Sequence, residues 1–251
     1  MASQPIYQFN AKLLDYEKIW RQFQVPCNIT VARLGYILMS MFEMQASHLY
    51  CFYVPYELNF KEQLKSRFPE NFEEIYERIY GKHDLIKCRR YGVLIEGVMD
   101  FREEEDDIII DASKSKLKNI VTHSGEKMIF NYDFGDNWNI HLMLEDIITD
   151  KELPGKALPR VLAGEGYGIV ENCGGIPGLE DITKAFKAKK GARYEEYCKW
   201  LGRDNLNMEI FDIDDANLRV KKIPRIYTDI YEHGLSPTQR SIDFLERKYI
   251  K

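Results

Sequence analysis

The sequence predicts an α+β protein: an antiparallel β-sheet with a central Tyr-Asp-Phe-Gly-Asp-x-Trp hairpin, packed against helices and followed by a helical C-terminal part. Three observations lead to this class. Apolar and polar residues alternate over 127–146, helical periodicity follows Thr30, and helical patterns fill most of the chain from Asp181 onward. With 251 residues and 45% hydrophobic content, the chain can bury a large core.

The N-terminal segment predicts two strands, a helix and a third strand. The strands are expected over 6–14 and 19–25, where β-type apolar residues are separated by a short polar turn. Thr30 is a suitable N-cap for a helix over 31–42, whose apolar residues recur at helical spacing. A third strand is expected over 48–54.

An inserted segment is expected over about 55–107. It contains helical patterns over 60–68 and 69–80, a strand-like stretch over 91–98 and an acidic run over 102–107. The acidic run lacks the ligand spacing and turn glycine of a calcium loop, so it indicates a solvated loop. After it, Ser113 is a plausible cap for a helix over 114–123.

The central hairpin is predicted with a three-residue loop at 135–137, because that loop length keeps every apolar residue on one face. In this register Phe134 lies opposite Trp138. The opposite face then carries polar side chains, which are Asn131, Asp133, Asn139, His141 and Glu145. This face is either a functional surface or the solvated outer face of an antiparallel sheet.

The C-terminal part predicts an irregular glycine-containing run followed by helices. The run ends at 162–168 and lacks the Gly-Lys-Ser/Thr signature of a phosphate-binding loop. Helices are expected over 182–189, 194–201, 214–220 and 226–231, and a capping box at 236–239 predicts a last helix to 249. We therefore expect one α+β domain over 1–220 and a helical extension over 221–251 packed on the same domain.

Composition restricts the classes of function. The net charge is −5 and the charges are interleaved, which disfavours broad binding to a phosphate backbone. The N-terminus lacks the regions of a signal peptide, and no long apolar window indicates a membrane span, so a cytoplasmic protein without membrane contact is expected. The five cysteines contain no Cys-x-x-Cys pair, which favours reduced thiols over a zinc ribbon or a disulfide framework.

Several motifs occur in an order that resembles a known family. They include Ile19-Trp20-Arg21, His48-Leu49, the segment 132–138 and the later Cys173-Gly174-Gly175. Together they resemble the plasmid pRiA4b ORF-three-like family, from about residue 6 to about residue 220. The resemblance implies a compact α+β domain found in bacteria and archaea, partly on plasmids and mobile elements. It implies no established activity, so no catalytic residue is carried over.

The sequence departs from the family pattern at a few positions. These are Gln22, Gly35, Met44 and the pair Ile169-Val170.

Two hypotheses of function follow. The first is a non-catalytic binding module for a peptide or a nucleic acid, which uses the polar hairpin face and the glycine-rich loop over 164–175. Its predicted binding residues are Asn131, Asp133, Asp136, Asn139, His141, Glu145, Glu171 and Asn172. No cofactor or resident metal is expected for this module.

The second hypothesis is a small metal- or cysteine-dependent hydrolase centred on Asp133, His141 and Cys173. Cys173 would be the nucleophile, with His141 as its base and the glycine amides as an oxyanion site. Alternatively His141 and nearby carboxylates would bind a divalent ion. Both forms require residues that are distant in sequence to meet in the fold.

Overall fold

The computed structural model describes residues 4–80, 86–93 and 109–249. Within these ranges eight strands form one sheet. The strands are β1 (Ile6–Leu13), β2 (Trp20–Pro26), β3 (Tyr50–Val54), β4 (Arg89–Gly92), β5 (Ile109–Asp111), β6 (Lys127–Tyr132), β7 (Trp138–Ile148) and β8 (Arg160–Glu165). Their order is β5-β4-β3-β6-β7-β1-β2-β8, and all neighbours are antiparallel except β4 and β5. The predicted α+β class is thus confirmed.

Seven α-helices accompany the sheet in the described residues. They are α1 (Val31–Met41), α2 (Tyr56–Arg67), α3 (Phe72–Tyr80), α4 (Gly175–Ala188), α5 (Ala192–Leu201), α6 (Ile213–His233) and α7 (Gln239–Leu245). Thr30 caps α1 as expected, since its side chain accepts a hydrogen bond from the Arg33 amide. None of the described helices is both long enough and apolar enough to cross a membrane.

Helix α1 lies against the buried face of the sheet and against α6. Gly35 permits the close approach, because a Cβ there would lie 3.1 Å from the Tyr50 ring and 3.3 Å from the Phe52 and Phe130 rings. These rings form part of one continuous apolar core. Packing at this density leaves no room for a larger residue at position 35 without displacing an aromatic side chain.

Strands β6 and β7 lie in the middle of the sheet and are joined by residues 133–137, so the predicted three-residue loop was wrong. Tyr132, and not Phe134, is paired with Trp138. Asp133 and Asn137 have left-handed φ angles of 55° and 56°, and the Asn137 amide donates to the Asp133 carbonyl at 2.6 Å. Phe134 therefore lies in the loop with 45% of its surface exposed.

The predicted helix over 114–123 was also wrong, because only a 3₁₀ turn at Leu117–Asn119 forms there. The chain bonds instead to the segment before α1: the Leu117 amide donates to Ile29 and the Lys118 amide to Cys27. Long-range backbone pairing of this kind replaces the i to i−4 bonds of a helix. The predicted strand over 91–98 is described only as far as Gly92 within β4, and the acidic run over 102–107 lies outside the described residues.

The C-terminal part differs from the sequence prediction in four ways. The run over 160–165 is the edge strand β8, and α4 begins at Gly175, seven residues before the predicted start. The predicted helices over 214–220 and 226–231 are one continuous helix, α6, with Pro224 inside it. Thr238, and not Ser236, caps α7.

The edge strand β8 is covered by a side chain of α6. Asn217 accepts a hydrogen bond from the Val161 amide at 2.9 Å and donates to the Val161 carbonyl at 3.0 Å. Its amide group thus occupies the position of a further strand at this point of the edge. An edge that is covered in this way is a poorer template for pairing with another chain.

The most constrained polar side chain in the core is Arg21 on β2, which is fully buried. Its guanidinium lies 3.9 Å from the centroid of the Phe211 ring and 5.1 Å from that of Phe42. It donates to five backbone carbonyls at 2.5–3.1 Å, those of Trp20, Met41, Glu165, Gly166 and Tyr167. Burial lowers the pKa of Arg21 to about 9, with Glu43 opposing the shift, so the group is cationic at neutral pH.

Arg21→Met is expected to lower the free energy of unfolding by about 3–5 kcal/mol, because several buried carbonyls would lose their donor. The measurement is urea unfolding followed by circular dichroism. Lys12→Met is the matched control, since Lys12 is an exposed cation on β1 and its loss should change stability by about 0.5 kcal/mol or less. Equal stability of the two variants would contradict the role assigned to Arg21.

Candidate functional site

Glu171 is a buried carboxylate within the glycine-rich loop over 164–175, with 8% of its surface exposed. One oxygen accepts hydrogen bonds from the Tyr132 hydroxyl and the Gln45 amide, both at 2.6 Å, and the other accepts from the Ser47 hydroxyl at 2.8 Å. Burial, followed by the negative charge of Glu171, raises the pKa of Tyr132 well above its ordinary value. Tyr132 therefore remains a hydrogen-bond donor to this carboxylate.

His48 lies beside Glu171 and connects it to the hairpin loop. Its Nε2 atom is 3.3 Å from a Glu171 oxygen, 3.4 Å from an Asp133 oxygen and 3.2 Å from the Asn172 side-chain oxygen. The ring stands edge-on to Tyr132, and 28% of the side chain is exposed. A single ring N–H thus has three acceptors within reach, which holds the two loops together.

His48 was not among the residues predicted for the site. Its side chain reaches Glu171 and Asp133 through pairings of distant segments, which no local spacing encodes. The one available signal was its place in the motif His48-Leu49, among the residues that carry the family resemblance.

The aspartates of the hairpin loop have different roles. Asp133 accepts hydrogen bonds from the amides of Gly135 and Asp136 at 3.1 and 3.4 Å, so it stabilises its own loop as well as contacting His48. Asp136 accepts from the Gly174 amide at 3.2 Å. A Cβ at Gly175 would lie 2.8 Å from the Asp136 carbonyl, which explains why only glycine fits this contact.

The predicted polar hairpin face separates into two groups on the outer side of the sheet. Asn131 donates to the side-chain oxygens of Asn137 and Asn139 at 2.7 and 3.0 Å. His141 is exposed, and on β7 it lies about 13 Å from Asn137 at the rise of an extended strand. Glu145 lies further along and accepts from side-chain amides, those of Gln8 and Gln22.

Cys173 lies at the hairpin loop, away from His141. Its sulfur donates to the Gly175 carbonyl at 3.5 Å, and burial, followed by the charge of Asp136, raises the pKa of the thiol to about 12. No contact joins Cys173 to His141 in the described part of the chain. Asp133, the third residue of the predicted hydrolase site, contacts His48. Among the described residues, no group of three or more His, Cys, Asp or Glu side chains is arranged to hold a metal ion.

A groove opens on the side of Glu171 and Asn172 that faces the C-terminal helices. Its larger part has a volume of about 760 Å³, and a smaller part of about 300 Å³ continues from it. We call the two parts together the C-terminal groove. Its floor comes from the loop after β8, which contributes Tyr167 and Ile169. Its walls come from the end of α5, from α6 and from α7, and these contribute Trp200, Arg203, Tyr227 and Leu245.

Ion pairs hold the C-terminal segment in place beside the groove. Arg247 donates to both oxygens of Glu43 at 2.6 and 2.7 Å and to Asp215 at 2.8 Å. Burial alone would lower the pKa of Arg247, but the hydrogen bonds and charge of Glu43 raise it. Arg219, which is buried, lies 3.7 Å from Glu43 and donates to the Leu245 carbonyl at 3.3 Å. Two of the groove arginines are thus neutralised by carboxylates.

The fold is that of an α+β domain built on an eight-stranded, mostly antiparallel sheet. A family model described as plasmid pRiA4b ORF-3-like protein matches residues 5–219, so the chain belongs to this family and the resemblance is confirmed. The structure is similar to the crystal structure of a protein of unknown function, MM3350 from Methanosarcina mazei Go1, with a TM-score of 0.61 and 24% identity over 85% of this chain and 98% of that chain. That similarity concerns the fold. No curated protein matches the chain.

Glu171→Gln is expected to lower the free energy of unfolding by about 2–3 kcal/mol, because the new NH₂ group would face hydrogen-bond donors in a buried site. Glu145→Gln is the matched control: its carboxylate is on the outer face of the sheet, and we expect a change of about 1 kcal/mol or less. The measurement is urea unfolding at pH 7. A neutral effect of Glu171→Gln would show that its three donors do not depend on a carboxylate.

The thiol of Cys173 is expected to react with iodoacetamide at pH 8 at least about 100-fold more slowly than that of the exposed Cys88, because a pKa of about 12 leaves little thiolate. The unfolded thiol titrates near pH 9, so the contribution of Cys173 to stability is complete below that pH and is lost as the pH rises towards 12. Mass spectrometry of labelled peptides measures the rates. Comparable rates would contradict the raised pKa of Cys173 and support the cysteine nucleophile of the alternative hypothesis.

Proposed function

We propose that the protein is a non-catalytic binding module that receives a peptide in the C-terminal groove. The observation that supports this most directly is an exposed tryptophan at the rim of a large cavity. Trp200 has 47% of its surface exposed and lines the part of about 760 Å³. This volume is within the range of ligand sites, and exposed aromatic residues at a cavity often provide most of the binding energy.

The lining of the groove suits a peptide. Apolar side chains such as Leu201, Ile242 and Leu245 can contact side chains of a bound segment. Gln45 and Asn172 offer amide groups for its backbone. A polypeptide presents these two kinds of surface at alternating positions, so a short extended segment is the ligand that fits best.

Charge favours a peptide over a nucleic acid. A phosphate backbone is bound mainly through unpaired lysines and arginines. In the C-terminal groove, Arg219 and Arg247 are beside Glu43 and Asp215, and the whole chain carries a net charge of −5. The groove therefore offers little net positive charge to a polyanion.

The predicted binding residues contribute unequally to this proposal. Glu171 and Asn172 line the groove, and Asp133 supports them through His48. Asn131, Asn139, His141 and Glu145 belong to the outer face of the sheet, where a second contact surface stays a prediction. Asp136 has a positioning role, since it accepts a hydrogen bond from the amide of Gly174, the residue before α4.

A hydrolase centred on Asp133, His141 and Cys173 stays the alternative hypothesis. The raised pKa of Cys173 weakens its cysteine-dependent form. The labelling rate of that thiol distinguishes this form from the binding module.

Trp200→Ala is expected to weaken peptide binding about 10-fold or more, as for an aromatic residue that provides a large contact area in an interface. Peptides are first selected from a displayed library of random twelve-residue sequences on the immobilised full-length protein. Synthetic copies of the selected peptides, labelled with fluorescein, are then titrated and followed by anisotropy.

Phe68→Ala is the control, because Phe68 is exposed to a similar extent, 43%, but lies at the end of α2 and does not line the groove. Its affinity should equal that of the wild type. Selection of no peptide, or equal affinities of the Trp200→Ala variant and the wild type, would refute the groove as the site. Salt-dependent binding of single-stranded RNA that requires Trp200 would assign the groove to nucleic acid instead.

A further inference from the structure

Arg203 differs from the other charged residues of the C-terminal groove. It follows α5, is exposed, and lines both the larger and the smaller part of the groove. Its polar contact is the Tyr167 hydroxyl, which is a neutral group. In the part of the chain that the structure describes, no Asp or Glu forms an ion pair with it.

The other charged residues that line the groove already have partners. Arg247 is paired with Glu43 and Asp215, and Arg219 with the same two carboxylates at 3.7 and 4.0 Å. The remaining carboxylates are also engaged: Glu171 accepts from Tyr132, Glu246 is paired with Lys248, and Asp212 caps α6. Among the described residues that line the groove, Arg203 is thus the arginine left for a negative ligand group, while the carboxylates already accept hydrogen bonds or ion pairs from other groups.

Exposed apolar side chains lie on both sides of Arg203. Trp200 lines the larger part of the groove, and Ile210, with 59% of its surface exposed, lines the smaller part. Phe211 extends the apolar surface in the smaller part. The Arg203 cation thus lies between the apolar surface of the larger part and the apolar surface of the smaller part.

We propose that the groove selects peptides in which an aspartate or glutamate lies between two hydrophobic residues. This inference rests on the proposed function and names its ligand class. The hydrophobic residues occupy the two parts of the groove, against Trp200 and against Ile210. The carboxylate pairs with Arg203, whose planar guanidinium can bind both carboxylate oxygens at once.

Arg203 is therefore a specificity-determining residue. Its contact with a carboxylate discriminates among peptides that have the same hydrophobic residues, whereas Trp200 supports binding of all of them. Because Arg203 is exposed, its substitution should leave the fold intact, and thermal unfolding verifies this for each variant.

The experiment compares displayed libraries of random twelve-residue peptides selected on the full-length wild type, on the Arg203→Glu variant and on the Lys199→Glu variant. Lys199 is an exposed cation on the neighbouring α5 that does not line the groove, so this control makes the same change in charge. Sequencing of the selected pools gives the ratio of acidic to basic residues between hydrophobic positions. Synthetic peptides with Glu, Gln or Lys at that position are then titrated against each variant.

The wild type and Lys199→Glu should enrich acidic over basic residues about 10-fold, and should bind the Glu peptide about 10-fold more tightly than the Lys peptide. Arg203→Glu should reverse this preference. Equal affinities for the Glu, Gln and Lys peptides, with Trp200→Ala still weakening all three, would refute the charge selection and leave the peptide-binding function standing. Failure of the wild type to select any peptide over Trp200→Ala would refute both.

Discussion

Five hydrogen bonds from Arg21 determine how strand β2 and the end of α1 meet the end of β8 and the turn that follows it. The guanidinium connects β2 with the end of α1 through Met41 and with the turn after β8 through Glu165, Gly166 and Tyr167. These carbonyls converge on one point, and in a dry interior each would be costly without a donor. The turn is thereby held in one conformation, and it forms the floor of the C-terminal groove.

A second polar cluster continues from this floor to the centre of the sheet. Glu171 fixes the end of the glycine-rich loop by accepting from Tyr132 on β6, and His48 joins it to Asp133 in the hairpin loop. The Tyr231 hydroxyl donates to the His48 carbonyl, which brings α6 into the same cluster. The groove is therefore built on groups whose positions depend on the packed sheet and not on loops alone. A preorganised site of this kind loses little conformational entropy when it binds a ligand.

The charges around the groove separate structural from functional roles. Arg21, Arg219 and Arg247 are buried or half-buried, and each donates a hydrogen bond to a backbone carbonyl or a carboxylate of the fold. Arg203 carries the same group on the surface and lines both parts of the groove, and within the described ranges of the chain it forms no ion pair with a carboxylate. The residue type is identical in all four cases, and only the surroundings distinguish a group that holds the fold from one that is available to a ligand.

Much of the fold follows from local patterns. The alternation of apolar residues on β6 and β7 placed Phe130, Tyr132, Trp138 and Ile140 in the core, and they are buried. The prediction of these buried residues was correct although the predicted register was wrong. The actual pairing differs from the predicted one by two residues, and side chains alternate between the faces of a strand with a period of two. The cap at Thr30 was equally local, since it depends on one side chain and an amide three residues away.

The site depended on contacts between distant segments. Asp133 does not lie on the predicted polar face of the hairpin, because it adopts a left-handed conformation and contacts His48, which is 85 residues earlier in the chain. Residues 114–123 do not form the predicted helix, because two amides of this segment donate to the carbonyls of Cys27 and Ile29. The sequence by itself determined that the chain forms an α+β domain and which residues of the paired strands β6 and β7 are buried, since both depend on periodicity, whereas Phe134 in the loop between them is exposed. Only the tertiary structure decided which polar groups meet, because hydrogen bonds between remote segments are not encoded in the spacing of either one.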